Sequence, residues 1–267
     1  MKDLIEKLRK NEKHWVTDMG AWFPGERVVM RGRDLFKELA DLNFAEIIYF
    51  AATGKIYSEK EMKFLDHINT ISSSYPDPRL WNNRVAALAG TTRSTPALGI
   101  AAGTATTEAK TYGGRALVRA YDFMRRGMQQ IQTGVALEEV VEKEIKKYRT
   151  LAGYGRPVTA VDERIQPILR LAKESGFGES PSVQFALEIE KYLQKTRRRI
   201  RLNASGAIAA VVVSWGMEPK DYEMMVLMAF TAGIIASYVD ARQHGEGAFF
   251  PFSVERINYS GEAIRVW

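Results

Sequence analysis

The sequence contains no cysteine and only three histidines, His14, His67 and His244, among its 267 residues. Without cysteine the chain can form no disulfide and has no thiolate nucleophile. The histidines do not show the spacing of zinc or iron ligands, so no metal site is predicted. Residues 1–15 are charged rather than apolar, unlike a secretory leader, so the protein is expected to be cytoplasmic.

Long hydrophobic runs are also scarce, although hydrophobic residues make up 46% of the chain. The longest run, residues 224–239, is interrupted by Thr231, Gly233 and Ser237 and is shorter than a membrane span, so it predicts a buried core helix. The net charge of +6 is scattered apart from the run RRRIR at residues 197–201. No aromatic side chains interleave with that run, so we expect neither a nucleic acid nor a membrane as partner. RRRIR instead indicates a solvated helix end or a contact for an anionic cofactor.

Strand-like alternation is nearly missing, and helical periodicity dominates, so we expect an all-α fold in a single unit, residues 1–267. The only short strand candidates are residues 27–30 and 249–257. The clearest helical stripes lie in residues 137–148, in residues 162–176 with Asp162 as N-cap, and after Ser180-Pro181.

Two further helical segments, residues 97–107 and 204–213, are rich in alanine and other small residues. Small side chains permit close approach between helices. These segments therefore belong either to the packed centre of the fold or to a subunit interface.

Five stretches, taken in order, resemble the citrate synthase superfamily, and most closely citryl-CoA lyase and the citrate-synthase-like module of ATP-citrate lyase. They are residues 31–54 (RGRDLFKELADLNFAEIIYFAATG), 84–114 (RVAALAG to EAKTYGG), 151–158 (LAGYGRPV), 185–206 (FALEIEKYLQKTRRRIRLNASG) and 229–240 (AFTAGIIASYVD). The resemblance implies a citrate synthase-like helical fold with a large domain and a small lobe within about residues 115–200. It also implies a homodimer or a higher oligomer.

The resemblance assigns Gly153, Tyr154 and Gly155 to coenzyme A, because this loop wraps the nucleotide end of CoA in the family. Glycine suits such a loop, since the backbone must approach a ligand closely and adopt positive φ. Taken alone, the three residues indicate only a tight turn between helices. The expected ligand is CoA or an acyl-CoA, as a substrate rather than a permanently bound cofactor.

The acid–base residues of the family are replaced. Enolate chemistry beside a thioester carbonyl needs a base, an acid and a donor to the thioester oxygen, which the family supplies with one aspartate and two histidines. Here Ser205 stands at the aspartate position and Arg156 at one histidine, with Tyr112, Ser74 or Tyr75 nearest to the other. Serine is not a base near neutrality, and arginine does not exchange protons. Ordinary citrate chemistry is therefore excluded.

Other side chains could serve a remodelled centre. Arg156 could hold an enolate oxygen or a carboxylate by charge alone. The tyrosines 75, 112 and 154 could donate a hydrogen bond or act as an acid. Asp77 is the best carboxylate for a base, or else a turn residue in Pro-Asp-Pro. Arg79 beside it could bind phosphate or lower the pKa of Asp77.

The resemblance also suggests substrate contacts. Arg164 matches the arginine of the family's Asp-Pro-Arg, which binds an acceptor carboxylate, or else it forms a helix N-terminal salt bridge with Asp162 or Glu163. Asn203, in LNASG, is assigned to substrate binding on the same basis. Where synthases carry an Arg-Pro pair, this chain has Phe250-Pro251, which favours a less charged or more apolar acyl partner.

Two functional hypotheses follow. The first is an enzyme that acts on CoA thioesters, a carbon–carbon bond lyase or synthase with a non-standard active site. The second is a catalytically inactive CoA-binding homologue that serves as a regulatory or structural subunit, alone or beside an active paralogue. A nucleic-acid-binding role rests only on the net charge and on RRRIR.

Overall fold

The computed structural model describes residues 2–10, 12, 16–110, 113–156, 159, 161–248 and 253–262. Eleven α-helices and three short strands lie in these residues, so the all-α prediction is confirmed. The chain divides into two compact units, Met1–Asp66 and His67–Trp267. The small lobe expected within about residues 115–200 stays a prediction.

The first unit combines helices with a small antiparallel sheet. It contains α1 (Lys2–Lys10), β1 (Gly20–Phe23), β2 (Arg27–Met30), β3 (Arg33–Asp34), α2 (Phe44–Thr53) and the start of α3 (Glu59–Ser72). The strands are paired in the order β1-β2-β3, with Gly20 opposite Met30 in the first pair. The strand predicted at residues 27–30 is confirmed as β2. Every residue of β1 is exposed, so β1 has no alternating apolar face by which the sequence could reveal it.

The second unit is built from helices. It contains α4 (Trp81–Thr91), α5 (Pro96–Ala105), α6 (Gly114–Gln132), α7 (Leu137–Tyr148), α8 (Ile165–Glu174), α9 (Pro181–Lys195), α10 (Ala204–Trp215) and α11 (Pro219–Gln243). The strand predicted at residues 249–257 is wrong for its described part, since Val254–Arg256 forms a turn of 3₁₀ helix. Residues 249–252 of that prediction lie outside the described residues.

Helix α10 occupies the packed centre of the second unit. Eight of its residues are buried, including Ile208, Val211 and Val212, and the helix contacts α6, α8 and α9. Full burial of one such side chain contributes about 1.5–3 kcal/mol, so this small-residue helix is a main source of cohesion. Of the two positions predicted for the segment 204–213, the structure shows the packed centre.

Helices α4, α5 and α11 approach one another closely at glycines. A Cβ atom at Gly90 of α4 would lie 2.5 Å from the Tyr238 carbonyl oxygen of α11, and one at Gly99 of α5 would lie 2.7 Å from the Tyr238 ring. Only a residue without a side chain fits these contacts. The opposite face of α5 is exposed, and Leu98 on that face has 66% of its surface accessible.

Helix α11 spans Pro219–Gln243 and is longer than the apolar run of residues 224–239 from which it is predicted. By length and composition it could cross a membrane, with a mean hydropathy of 1.7 in its most apolar window. Ten of its residues are nevertheless buried, among them Met225, Ile234 and Tyr238, and α11 packs mainly on α4. This burial supports the core-helix prediction.

Two predicted helix starts have different outcomes. Helix α9 begins at Pro181 with Ser180 as N-cap, as predicted, and its stripe of Val183, Ala186, Ile189 and Leu193 is buried. Helix α8 begins at Ile165 with Arg164 as N-cap, so the prediction that Asp162 caps it is wrong. The Asp162 carboxylate is instead used by another helix, as described below.

Candidate active site

The loop at residues 153–156 is fixed to the segment that leads into α10. Gly153 and Gly155 have φ values of 88° and 79°, which glycine adopts without strain. The Gly153 carbonyl accepts from the Asn203 N–H at 3.0 Å, and the Gly155 N–H donates to the Arg201 carbonyl at 2.7 Å. The Asn203 side-chain amide also donates to the Gly155 carbonyl at 2.8 Å. Much of the loop's main chain is therefore already hydrogen-bonded within the protein.

Gly153 and Gly206 pack backbone against backbone. A Cβ atom at Gly206 would lie 2.4 Å from the Gly153 carbonyl oxygen, and one at Gly153 would lie 2.8 Å from the Gly206 Cα. Neither position has room for a side chain. The first turn of α10 and the loop thus form one rigid surface.

Tyr154 lies in the core. Only 7% of the residue is exposed, and its hydroxyl donates to the Ala186 carbonyl of α9 at 2.9 Å. Burial, aided by the nearby charge of Glu190, raises the pKa of the phenol well above its ordinary value. The Tyr154 side chain anchors the loop, and only its main chain is left to meet a ligand.

At the N-terminus of α10, one residue has hydrogen-bond donors without a partner among the described residues. The Ala204 N–H donates to Asp162 at 2.9 Å, the Gly206 N–H donates to the Asn203 side chain at 3.2 Å, and the Ala207 N–H donates to the Asn203 carbonyl at 3.1 Å. Within the described part of the chain, neither the N–H nor the hydroxyl of Ser205 has a hydrogen-bond partner. Two donors therefore remain at the positive end of a helix.

Asp162 is the centre of the charged cluster beside this helix. Its side chain is fully buried, and it forms a two-pronged pair with Arg164, with both N–O distances at 2.9 Å. Burial alone would raise the pKa of Asp162, but the hydrogen bonds from Arg164 and Ala204 outweigh burial and lower it. Of the two roles considered for Arg164, the structure contains the salt bridge near the helix N-terminus. The acceptor-binding role stays a prediction.

Arg156 is held by the same carboxylate cluster. Its guanidinium donates to the Val161 carbonyl at 3.0 Å and to Glu163 at 2.8 Å, and it lies 3.8 Å from Asp162. Burial would lower the pKa of Arg156, but the bond to Glu163 and the neighbouring negative charges raise it. Arg156 is a fixed positive charge.

The loop at residues 73–80, which carries Tyr75 and Asp77, is shaped from α4 and α11. Buried Asn83 donates to the Tyr75 carbonyl at 2.6 Å and to the Asp77 carbonyl at 3.2 Å. The Ser74 N–H donates to the Ala229 carbonyl of α11 at 2.7 Å. These bonds fix the main chain of the loop, and Tyr75 on it has 49% of its surface exposed.

Asp77 is paired with Arg79, with two N–O distances of 2.9 and 3.0 Å. The hydrogen bonds from Arg79 lower the pKa of Asp77. A carboxylate with a lowered pKa is a weaker base, and the Asp77 carboxylate also accepts the Arg79 backbone N–H, as a turn residue does.

Two sets of predicted residues lie outside the described residues: Tyr112, and the segment 249–252 with Phe250 and Pro251. No group of three or more His, Cys, Asp or Glu in the described residues could hold a metal ion. Sequence reasoning missed the roles of Asn83 and Glu163. The available signal was the string Asp-Glu-Arg at residues 162–164, where the family resemblance predicts Asp-Pro-Arg, seven residues after Arg156 at its glutamate.

The described geometry is that of an all-α protein with a glycine loop docked on a helix N-terminus. The chain belongs to the citrate synthase family, since the family described as citrate synthase, C-terminal domain, matches residues 32–248. The resemblance drawn from the sequence is confirmed. No curated protein sequence matches the chain.

Solved structures share the fold. Citryl-CoA lyase from Hydrogenobacter thermophilus has a TM-score of 0.80 and 20% identity, over 96% of this chain and 98% of that one. ATP citrate lyase from Methanothrix soehngenii, in complex with citrate and coenzyme A, has a TM-score of 0.75 and 18% identity, over 97% of this chain and 44% of that one. Citrate synthase from Thermoplasma acidophilum, in a ternary complex with carboxymethyl coenzyme A and oxaloacetate, has a TM-score of 0.65 and 18% identity, over 84% of this chain and 58% of that one.

Proposed function

We propose that the chain binds a coenzyme A thioester at the loop 153–156 and the N-terminus of α10. It acts there as a carbon–carbon bond lyase or synthase with a remodelled centre. The observation that carries the proposal is the N–H and the hydroxyl of Ser205, two donors at the N-terminus of α10 that have no hydrogen-bond partner among the described residues. Fixed donors of this kind stabilise negative charge that develops on a thioester oxygen. Membership of the citrate synthase family, and relatives crystallised with CoA or its carboxymethyl derivative, support the choice of ligand.

The roles of the site residues follow from their positions. The Ser205 hydroxyl and N–H donate hydrogen bonds to the thioester oxygen as the enolate forms. Asn203 and Gly153 hold this turn of α10 in place. Tyr75 is about half exposed on the loop at residues 73–80 and can donate a proton or a hydrogen bond to the acyl partner. Asp77 is the carboxylate available as a base, once Arg79 moves away from it.

A catalytically inactive CoA-binding homologue is the second candidate, and one observation favours it. Each carboxylate of the site, Asp77, Asp162 and Glu163, is ion-paired with an arginine and has a lowered pKa. None of them is tuned toward neutrality as a general base is. Such a protein would serve as a regulatory or structural subunit, alone or beside an active paralogue.

One experiment separates the two candidates. The purified protein is incubated in D₂O with a panel of acyl-CoA thioesters, and deuterium at the α-carbon is measured by mass spectrometry, beside calorimetric titration with CoA. The enzyme exchanges the α-proton, and Ser205→Ala slows the exchange about 10²-fold or more, the loss expected for one oxyanion donor. Binding without exchange supports the inactive homologue. If CoA does not bind, both candidates fail.

We also propose that a second copy of the chain covers the exposed apolar surface of α5 and α11, here called the α5–α11 face. It consists of Leu98, Leu227, Ile235 and Val239, each with between 36% and 66% of its surface exposed. Small residues on α5 let a partner helix approach closely. An apolar face rimmed by polar residues is typical of an interaction surface, which supports the expected homodimer.

A further inference from the structure

We propose that the site takes CoA thioesters whose acyl group carries no carboxylate, and that Glu163 is the residue that sets this preference. The inference rests on the proposed function and narrows its substrate class. It starts from four charged side chains beside the N-terminus of α10, all of them described residues of the second unit: Arg156, Asp162, Glu163 and Arg164.

The first step is the pairing of Arg164. Both prongs of its guanidinium meet the Asp162 carboxylate, whose side chain has no exposed surface. The same carboxylate accepts the Ala204 N–H, one residue before Ser205. Pulling Arg164 toward a substrate would therefore leave a buried anion at the start of α10, which is costly.

The second step is the pairing of Arg156. Its Nη1 is shared between Glu163, at 2.8 Å, and the Val161 carbonyl, at 3.0 Å. Arginine and glutamate stand here in place of the histidine and proline of the family pattern, and the two introduced side chains touch each other. The Glu163 carboxylate thus neutralises the positive charge that the Arg156 guanidinium would otherwise offer to a ligand.

The third step is the sum of these charges. Arg156 and Arg164 bring two positive charges, and Asp162 and Glu163 bring two negative ones, so the cluster is neutral. On the neighbouring loop, Arg79 is likewise neutralised by Asp77. An acyl carboxylate arriving here must compete with Glu163 for Arg156 and would lie beside a like charge. A neutral acyl group meets no such competition.

The test compares two thioesters with four-carbon acyl groups, butyryl-CoA and succinyl-CoA, by calorimetric titration at fixed ionic strength. The wild-type chain should bind butyryl-CoA about fivefold more tightly, the upper end for a partly exposed ion pair. Glu163→Gln frees Arg156, so succinyl-CoA should bind about fivefold more tightly than before while butyryl-CoA is unchanged. Glu163 is 69% exposed in its side chain, so this variant should fold.

Two further variants sharpen the result. Asp122→Asn makes the same charge change beside Arg126, outside the cluster, and should leave the ratio of the two affinities as in wild type. Arg156→Gln removes the cation paired with Glu163 and leaves the cluster with one net negative charge, so succinyl-CoA should bind more weakly than to wild type. Equal binding of both thioesters to wild type, or an unchanged ratio in Glu163→Gln, overturns the inference while the proposed function stands. If CoA and both thioesters fail to bind, the proposed function fails and this inference falls with it.

Discussion

Replacing the buried Asp162 carboxylate by an amide tests the central contact of the site. In Asp162→Asn the side chain keeps its shape but loses its charge and one acceptor oxygen. The carboxylate accepts the backbone N–H groups of Arg164 and Ala204, at 3.2 and 2.9 Å, and two guanidinium bonds from Arg164, both at 2.9 Å. The new amide N–H₂ would face at least one of these donors.

The expected loss of unfolding free energy follows from the burial of Asp162 and of its partner Arg164. Removing one partner of a buried ion pair costs about 3–5 kcal/mol. Arg164 is 35% exposed in its side chain, so water can solvate it once the carboxylate is gone. We therefore expect the free energy of unfolding to fall by about 2–3 kcal/mol at pH 7.

The pH dependence gives a second check. The pKa of Asp162 is lower in the folded than in the unfolded protein, so its stabilising effect is complete above the unfolded value of about 3.9 and is lost as the pH falls through the folded pKa. The stability gap between wild type and Asp162→Asn should be constant from about pH 8 to 5 and shrink below about pH 4. The assay is urea denaturation followed by circular dichroism across this range. Asp240→Asn, at an exposed carboxylate, is the control and should change little.

A gap below about 0.5 kcal/mol at pH 7, the size expected of a surface substitution, would refute the account of Asp162 as the buried centre of the cluster. A gap that stays constant down to pH 3 would show that shape rather than charge is responsible.

Three further predictions concern packing and assembly. Gly206→Ala places a Cβ 2.4 Å from the Gly153 carbonyl oxygen, so the unfolding free energy should fall by about 1–3 kcal/mol in urea titration, and CoA binding should weaken in calorimetry. Glu144→Gln leaves the Arg126 guanidinium with a weaker partner at a carboxylate only 8% exposed, and should lower the thermal midpoint in calorimetric scans by an amount equivalent to about 1–2 kcal/mol. Ile235→Arg puts a charge on the α5–α11 face and should shift a dimer to monomer in sedimentation velocity, whereas an unchanged mass would argue against this face as the interface.

The fold could be predicted well from the sequence because most of its helices carry a local signal. Ser180-Pro181 and a regular apolar stripe predict helix α9, and the structure shows both features. Strand β1 could not be predicted, because none of its four residues is buried and no apolar alternation marks it. The start of α8 was misplaced because Asp162 has the local signature of an N-cap, while its carboxylate is committed to α10 across the fold.

Only part of the candidate site could be predicted from the sequence. The glycines of the loop predicted a close backbone contact, and Gly153 against Gly206 is such a contact. Which side chains are available to a ligand depends on tertiary contacts that one sequence does not reveal. Tyr154, for example, looks like a ligand contact in the string GYG, but its hydroxyl bonds to the backbone of a helix about thirty residues away in the chain.

We propose that Arg156 and Glu163, which stand at the histidine and the proline expected from the family resemblance, changed together. A lone arginine in place of the histidine would leave an uncompensated charge beside Asp162 and Arg164, and a lone glutamate would add a third charge of the other sign. Together they form a 2.8 Å pair and leave the cluster neutral. On this proposal, the pair preserves the docking of the loop on α10 and stands in place of a proton-transfer group. A scaffold kept intact by a compensated pair, with Ser205 donors that have no partner among the described residues, fits a change of reaction or of substrate, since simple decay of the site would not need the second substitution.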